Sequence, residues 1–437
     1  MRTLIHNAHV LTMNEDLDEF QNGWILIEGA RIKGLGVGLF PDDFSPIENS
    51  IDAAGKLVMP GMINTHCHMP MTLFRGLGED VDDRLFRYIL PLERELITAE
   101  VVRVGAQLAT AEMLLGGVTT VTDMYYFERE TGDVLASAGM RGIVGQTLGD
   151  FDAPDHRSFD EGFALVDELR EHFSDSALIT ASIAPHAPYS TDLNIMERVA
   201  QYRSDHPDVL VQMHLAEMKS EMEWCEKTHN CRPIELVDRA GLLAQGSIFA
   251  HCIEVTDSEI ELMAGRGVGI AHNPRSNAKA GRPIAPVEAM QRAGLPVALA
   301  TDGAMSSNTL DVFSQLAPAS MVAKLRGNSR ACLSAVKTVQ MATIDGARAL
   351  GMQEQIGSLE VGKLADLIMV DLDAPRLAPI HDIYATIVFS MLPSDVDSSM
   401  IHGKWVVEQK ALVSMDVQSI LGEGRVWAKT FQNFLSG

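Results

Sequence analysis

The sequence predicts an α/β protein: a (β/α)8, or TIM, barrel with a small β-sandwich domain built from both chain ends. Three observations predict it. Between residues 59 and 350, eight short apolar runs alternate with longer amphipathic stretches, which is the arithmetic of eight strands each followed by a helix. The flanks, residues 1–58 and 351–437, are instead β-rich and broken by Gly, Asn and Asp. The first run of the middle segment ends in His-Cys-His, where an open doubly wound sheet would carry a Gly-rich phosphate turn.

In chain order, TLIHNAHVLTM, GWILIEGARIKGLG and IDAAGKLVMPG read as strands of the small domain. The barrel strands are VMPGMINTH, VTTVTDMY, RGIVGQT, ALITASIAP, VLVQMHLAE, SIFAHC, GVGIAHN and PVALATDG. Between them lie helical periods such as EVVRVGAQLATAEMLLGG, EGFALVDELREHF and SEIELMAGRG. IGSLEVGKLADLIMVDLD and SMIHGKWVVEQKALV then return to strand. At 46% hydrophobic and 22% charged residues, the composition is that of a folded globular chain and excludes disorder.

Lys and Arg number 35 against 59 Asp and Glu, a formal net charge of −24. That balance argues against a broad nucleic-acid or anionic-membrane surface. The five cysteines are scattered and form no C-x-x-C pair, as expected in a reducing compartment. No apolar run approaches the roughly 18 residues of a membrane helix, and the N-terminus does not read as a signal peptide. The expectation is a soluble, cytoplasmic protein.

The chemistry-bearing residues sit at strand ends. His66 and His68 are two apart on one strand, so their side chains share a face. His214 ends VLVQMHLAE, His251 ends SIFAHC and Asp302 ends PVALATDG. Burying such groups singly costs roughly 2–7 kcal/mol even when they are uncharged, whereas one metal at the C-terminal mouth of the barrel explains them together. Imidazole and carboxylate ligands without thiolates suit Zn²⁺, with Fe²⁺ or Mn²⁺ open. Cys67 lies between the two histidines but points to the opposite face, as packing. A bound cation lowers the pKa of its water toward about 7. Glu217, three residues past His214, is offset from the ligands and suits an acid/base role.

VMPGMINTHCHMPMTLFRGLGED, MHLAE, HNPRSN, ATDGAMSSNTLDVF and GSLEVGKLADLIMVD resemble the amidohydrolase superfamily in its cytosine/guanine/triazine deaminase branch. Within that branch the chain looks most like the methylthioadenosine/S-adenosylhomocysteine deaminases. The resemblance implies that His66, His68, His214 and Asp302 hold one divalent metal. It implies that Glu217 shuttles a proton to a ring nitrogen, and that His251 and Asp302 hydrogen-bond the attacking water. No lysine stands at a strand end to bridge a second metal. Glu93 in LPLERE, Arg141 before the third strand and His186 in APHAPYS match substrate-binding positions. The implied reaction is hydrolytic release of ammonia from an adenosine-type purine such as S-adenosylhomocysteine, methylthioadenosine or adenosine. The second reading is a guanine-type base, a pterin, or an s-triazine losing amine or chloride. A homodimer or homotetramer is the family expectation. The chain departs from the family pattern in two places. RLFRYILPLE carries Phe86 and Tyr88 where a Trp is usual, and KAGRPIAP puts Arg282 and Pro283 in place of a small residue and a glycine. The second change leaves a smaller or more anionic substrate open.

Overall fold

Alternating apolar residues at the start of the chain build an antiparallel ribbon of β1 (Arg2–Leu11), β2 (Glu19–Glu28) and β3 (Arg31–Val37). Ile5, Val10, Ile25, Ile27 and Ile32 are buried in one cluster of that ribbon. β4 (Asn49–Asp52) and β5 (Leu57–Pro60) lie parallel to β1. The computed structural model describes residues 1–41, 46–81 and 83–436; the side chains of residues 85 and 86, and so that of Phe86, lie outside the described set.

VMPGMINTH is two strands rather than one. Gly61 divides it where the backbone passes so close to Thr119 that a Cβ would meet its Oγ1 at 2.1 Å. Met59 and Pro60 therefore pair with the chain-end sheet, and the barrel starts at β6 (Met62–Cys67). It continues through β7 (Val118–Tyr125), β8 (Arg141–Leu148), β9 (Ile179–Pro185), β10 (Leu210–Leu215), β11 (Ser247–His251), β12 (Gly269–His272) and β13 (Val297–Leu299). All eight are parallel and ordered as in the chain. They are almost wholly buried, which is why they read as continuous apolar runs. The seam between β13 and β6 is closed by Thr65 Oγ1 donating to the Leu299 carbonyl (2.9 Å), Asn64 Nδ2 to Thr301 Oγ1 (2.7 Å) and the Asp302 amide to the His66 carbonyl (3.1 Å).

Both chain ends share one nine-stranded sheet. β14 (Leu367–Val370) inserts between β5 and β15 (Val396–Ile401), followed by β16 (Lys404–Glu408) and β17 (Ala411–Leu412). A bridge from Arg31 to Leu364 brings β3 back toward β14, so the sheet curls around its own apolar cluster. The C-terminal segment differs from the strand-rich expectation. Val417–Ser436 is a helix, with Ile420, Gly424 and Phe431 buried at helical spacing. Phe431 packs on Phe74 (5.3 Å between centroids), and Gly424 fits against Leu108. The last turns of the chain thus return to the barrel. Among the described residues, no helix is long and apolar enough to cross a membrane.

Arg141 is not at the mouth. It is the first residue of β8, about 20 Å from that strand's C-terminal end at the usual rise of about 3.3 Å per residue. It is 4% exposed, and its guanidinium grips both Asp366 oxygens (2.9 and 3.2 Å) and the Ala177 carbonyl (3.1 Å). Asp366 also accepts the His402 amide at 2.7 Å. The residue matched to substrate binding by resemblance instead ties the bottom of the barrel to the chain-end sheet.

Candidate metal centre and active site

The barrel strands deliver their C-terminal side chains to one point. The ligand nitrogens of His66, His68 and His214 all lie within 4.8 Å of one another. His68 Nδ1 donates to the Met124 carbonyl (2.7 Å) and His214 Nδ1 to the His186 carbonyl (2.9 Å). A carbonyl can only accept, so each Nε2 carries a bare lone pair. Those two Nε2 atoms face each other at 3.1 Å, and His66 Nε2 is buried with no partner. Two inward lone pairs with their outer nitrogens tethered, beside the partnerless His66 Nε2, are the donor set a cation satisfies. Burial, followed by the charge of His68, pushes the His66 pKa well down. Burial and then His66 do the same for His214, which keeps both rings neutral and able to ligate. Cys67 is fully buried, and burial holds its thiol well above the ordinary range, so it packs as expected.

Asp302 lies beside the cluster. Its Oδ1 is 3.5 Å from His68 Nε2, and its Oδ2 accepts from Ser276 Oγ at 2.6 Å. Burial alone would raise its pKa, but the charges of His251, His68 and His66 bring it to about 2. His251 Nε2 lies 4.0 Å from Glu217 Oε2, while its Nδ1 bonds Asn277 Oδ1 at 2.9 Å. Burial opposes protonation of His251, yet Glu217, Asp302 and the Asn277 bond outweigh it and raise its pKa. The backbone turns sharply here. Ala216, His251, Cys252 and Asp302 all have φ between +44° and +73°, a cost of order 1–3 kcal/mol for each non-glycine residue, seen mostly at functional sites.

Several supporting residues escaped the sequence reading. Glu221 accepts the Ala216 and Glu217 amides (2.8 and 2.9 Å) and so fixes the turn that aims Glu217. Ser276 and Asn277, on the short helix Pro274–Lys279 after β12, fix Asp302 and His251. Their spacing in HNPRSN is a local signal, but their partners lie 26 residues away in either direction. Asp123, at the end region of β7, accepts the Met69 amide at 2.7 Å beside His68.

His186 flanks the cluster. Its ring is 4.9 Å from His214, its Nδ1 bonds Ser190 Oγ at 2.7 Å, and burial, then His68, lowers its pKa to about 4. Glu93 is reached through Tyr125, whose hydroxyl donates to it at 2.7 Å and whose ring is 6.4 Å from that of His68. Burial pushes the Glu93 carboxyl up to about 7, against the Tyr125 bond. A raised carboxyl pKa means that the folded protein holds the proton more tightly than the unfolded chain. Its stabilisation is full below about pH 4.5 and is lost as pH rises through about 7, on the order of 3 kcal/mol. Glu93→Gln should flatten the stability curve over that window in urea unfolding at pH 4.5 and 7; an unchanged slope would show that Glu93 ionises without penalty.

Eight parallel strands carrying a histidine cluster at their C-terminal ends define a metal-centred barrel enzyme. Residues 57–406 match the Amidohydrolase family. The chain belongs to that family. A relative from Syntrophobacter fumaroxidans, named 5-methylthioadenosine/S-adenosylhomocysteine deaminase, is 36% identical over 98% of both chains. A zinc-bound crystal structure of an adenosine deaminase from Xanthomonas campestris superposes with a TM-score of 0.95 at 34% identity, covering 99% of this chain and 98% of that one. An atrazine chlorohydrolase from Arthrobacter aurescens, complexed with zinc, shares the fold at a TM-score of 0.91 and 22% identity, covering 98% of this chain and 100% of its own.

Proposed function

We propose that the protein is a hydrolytic deaminase that releases ammonia from an adenosine-type purine, with S-adenosylhomocysteine, methylthioadenosine and adenosine as the first substrates to try. The observation that carries this reading is the three bare imidazole nitrogens beside Asp302, with His251 and Glu217 arrayed next to them. His66, His68, His214 and Asp302 would hold one divalent ion, and zinc fits a neutral nitrogen-rich set with one carboxylate. When bound, such an ion supplies a water acidic enough to act as a nucleophile near neutral pH.

The chain's own residues do the rest. Asp302 and His251 orient the attacking water and accept its proton, each fixed by a partner from the helix Pro274–Lys279. Glu217 gives a proton to the ring nitrogen next to the amine-bearing carbon, and a further proton leaves with the amine as ammonia. Water's oxygen replaces the amine nitrogen, so the products are the oxo ring and ammonia. His186 and Glu93 would contact the remainder of the substrate, and Glu93 would accept hydroxyl hydrogen bonds.

An ammonia-release screen of the zinc-loaded protein over adenosine derivatives, guanine, pterins and triazines tests this. The expected result is turnover of adenosine-type nucleosides. Turnover of free bases with none of any nucleoside would overturn the choice in favour of the guanine, pterin or triazine class. The atrazine chlorohydrolase likeness alone, at 22% identity, carries only the fold.

A further inference from the structure

Arg282 stands in the loop after the helix Pro274–Lys279, on the same short segment that fixes Asp302 and His251. Its amide donates to the Asn277 carbonyl at 2.9 Å, and Gly281 turns the chain just before it at φ +66°. Its side chain is thereby placed relative to the catalytic residues rather than hung on a free loop. Arg282 Nη2 lies 3.7 Å from Glu217 Oε1, which is a charge contact but too long for a hydrogen bond. Its Nε is buried with no partner. The guanidinium makes no side-chain hydrogen bond among the described residues, although it carries five donors.

The neighbouring cations are already engaged. Lys279 is bonded to Glu79, Asn308 and the Met305 carbonyl, and Arg84 donates to that same carbonyl at 3.0 Å. Of these three, Arg282 is the one that lies against the Glu217 carboxylate, and its donors there are unspent. With Arg282 Nη2 only 3.7 Å from Glu217 Oε1, an oxygen on the carbon adjoining a ring nitrogen bonded to Glu217 would come within reach of those donors. That oxygen is neutral: a second full negative charge beside the Glu217 carboxylate would be repelled as strongly as Arg282 attracts it.

We propose that Arg282 is a specificity-determining residue that binds a keto oxygen on the ring carbon flanking the nitrogen served by Glu217. The substrate class is then an oxo-bearing cyclic amidine, in purine terms a 2-oxo-6-aminopurine in preference to a 6-aminopurine with hydrogen at that carbon. The proposal rests on the deaminase reading above for the role of Glu217. It deepens that reading by naming the substituent that the ring carries.

Equilibrium binding separates the two ideas. The zinc-loaded Glu217→Gln protein, whose turnover is expected to be too slow to consume ligand during a titration, is titrated calorimetrically with isoguanosine and with adenosine, and then with the free bases isoguanine and adenine. The titrations are repeated with Arg282→Ser and Arg282→Lys added. The expected result is tighter binding of the oxo member by about tenfold to a hundredfold, the range for a hydrogen bond to a charged donor. Arg282→Ser should abolish that preference, and Arg282→Lys should keep part of it. Equal affinities, or a preference that survives Arg282→Ser, overturn the proposal and leave the deaminase reading standing. Binding of the bases alone, still split by Arg282, upholds Arg282 and overturns the nucleoside reading. No binding of any of the four overturns both.

Discussion

Glu217→Gln is expected to leave the bound metal in place and to cut ammonia release by about 10²- to 10⁴-fold, the contribution typical of a positioned acid/base group. The reason is its place one step outside the ligand cluster. Its Oε2 is 4.0 Å from His251 Nε2, whereas the bare nitrogens belong to His66, His68 and His214. The amide side chain keeps the size of the carboxyl group and can still face Arg282, so the loss reports proton transfer rather than collapse of the mouth. Metal content by elemental analysis and kcat from ammonia release check the two halves. Undiminished turnover would remove Glu217 from the chemistry, and loss of metal would make it a ligand.

The histidines of the candidate site were legible in the sequence because they obey two local rules. His66 and His68 alternate onto one face of β6, and His214 and His251 stand in the last two residues of apolar runs that proved to be parallel strands. A barrel sends every such terminus to the same mouth, so the residues could be grouped without knowing any contact. Arg141 shows where that logic stops. Whether a residue opens or closes a strand decides which end of the barrel it reaches, and a family match supplied no such register. Glu221, Ser276 and Asn277 were invisible for a different reason: their value lies in hydrogen bonds to a turn or strand end, two from Glu221 and one each from the other two, that only the folded chain sets up. The C-terminal helix was missed although Ile420, Gly424 and Phe431 carried its period, because the strands just before it set the expectation for the whole tail. The split at Gly61 needed the Thr119 side chain, 58 positions away in a neighbouring strand.

Arg141→Met should destabilise the protein by about 3–5 kcal/mol while leaving KM unchanged. The variant deletes one member of a buried ion pair whose other member, Asp366, is only 3% exposed, and an uncompensated buried carboxylate costs that much. Asp366 also receives the His402 amide, and its own carbonyl accepts the Gly61 amide at 3.1 Å, so the loss loosens the junction between the barrel and the chain-end sheet. Urea unfolding measures the first expectation and steady-state kinetics the second. Should the single variant fail to fold, Arg141→Met combined with Asp366→Leu removes both charges and should recover most of the stability, since a buried ion pair exchanged for apolar side chains is often neutral. A KM raised tenfold at unchanged stability would return Arg141 to the substrate. Its place at the start of β8 argues otherwise, because a side chain at the N-terminal end of a barrel strand serves the fold, and the chemistry happens at the opposite face.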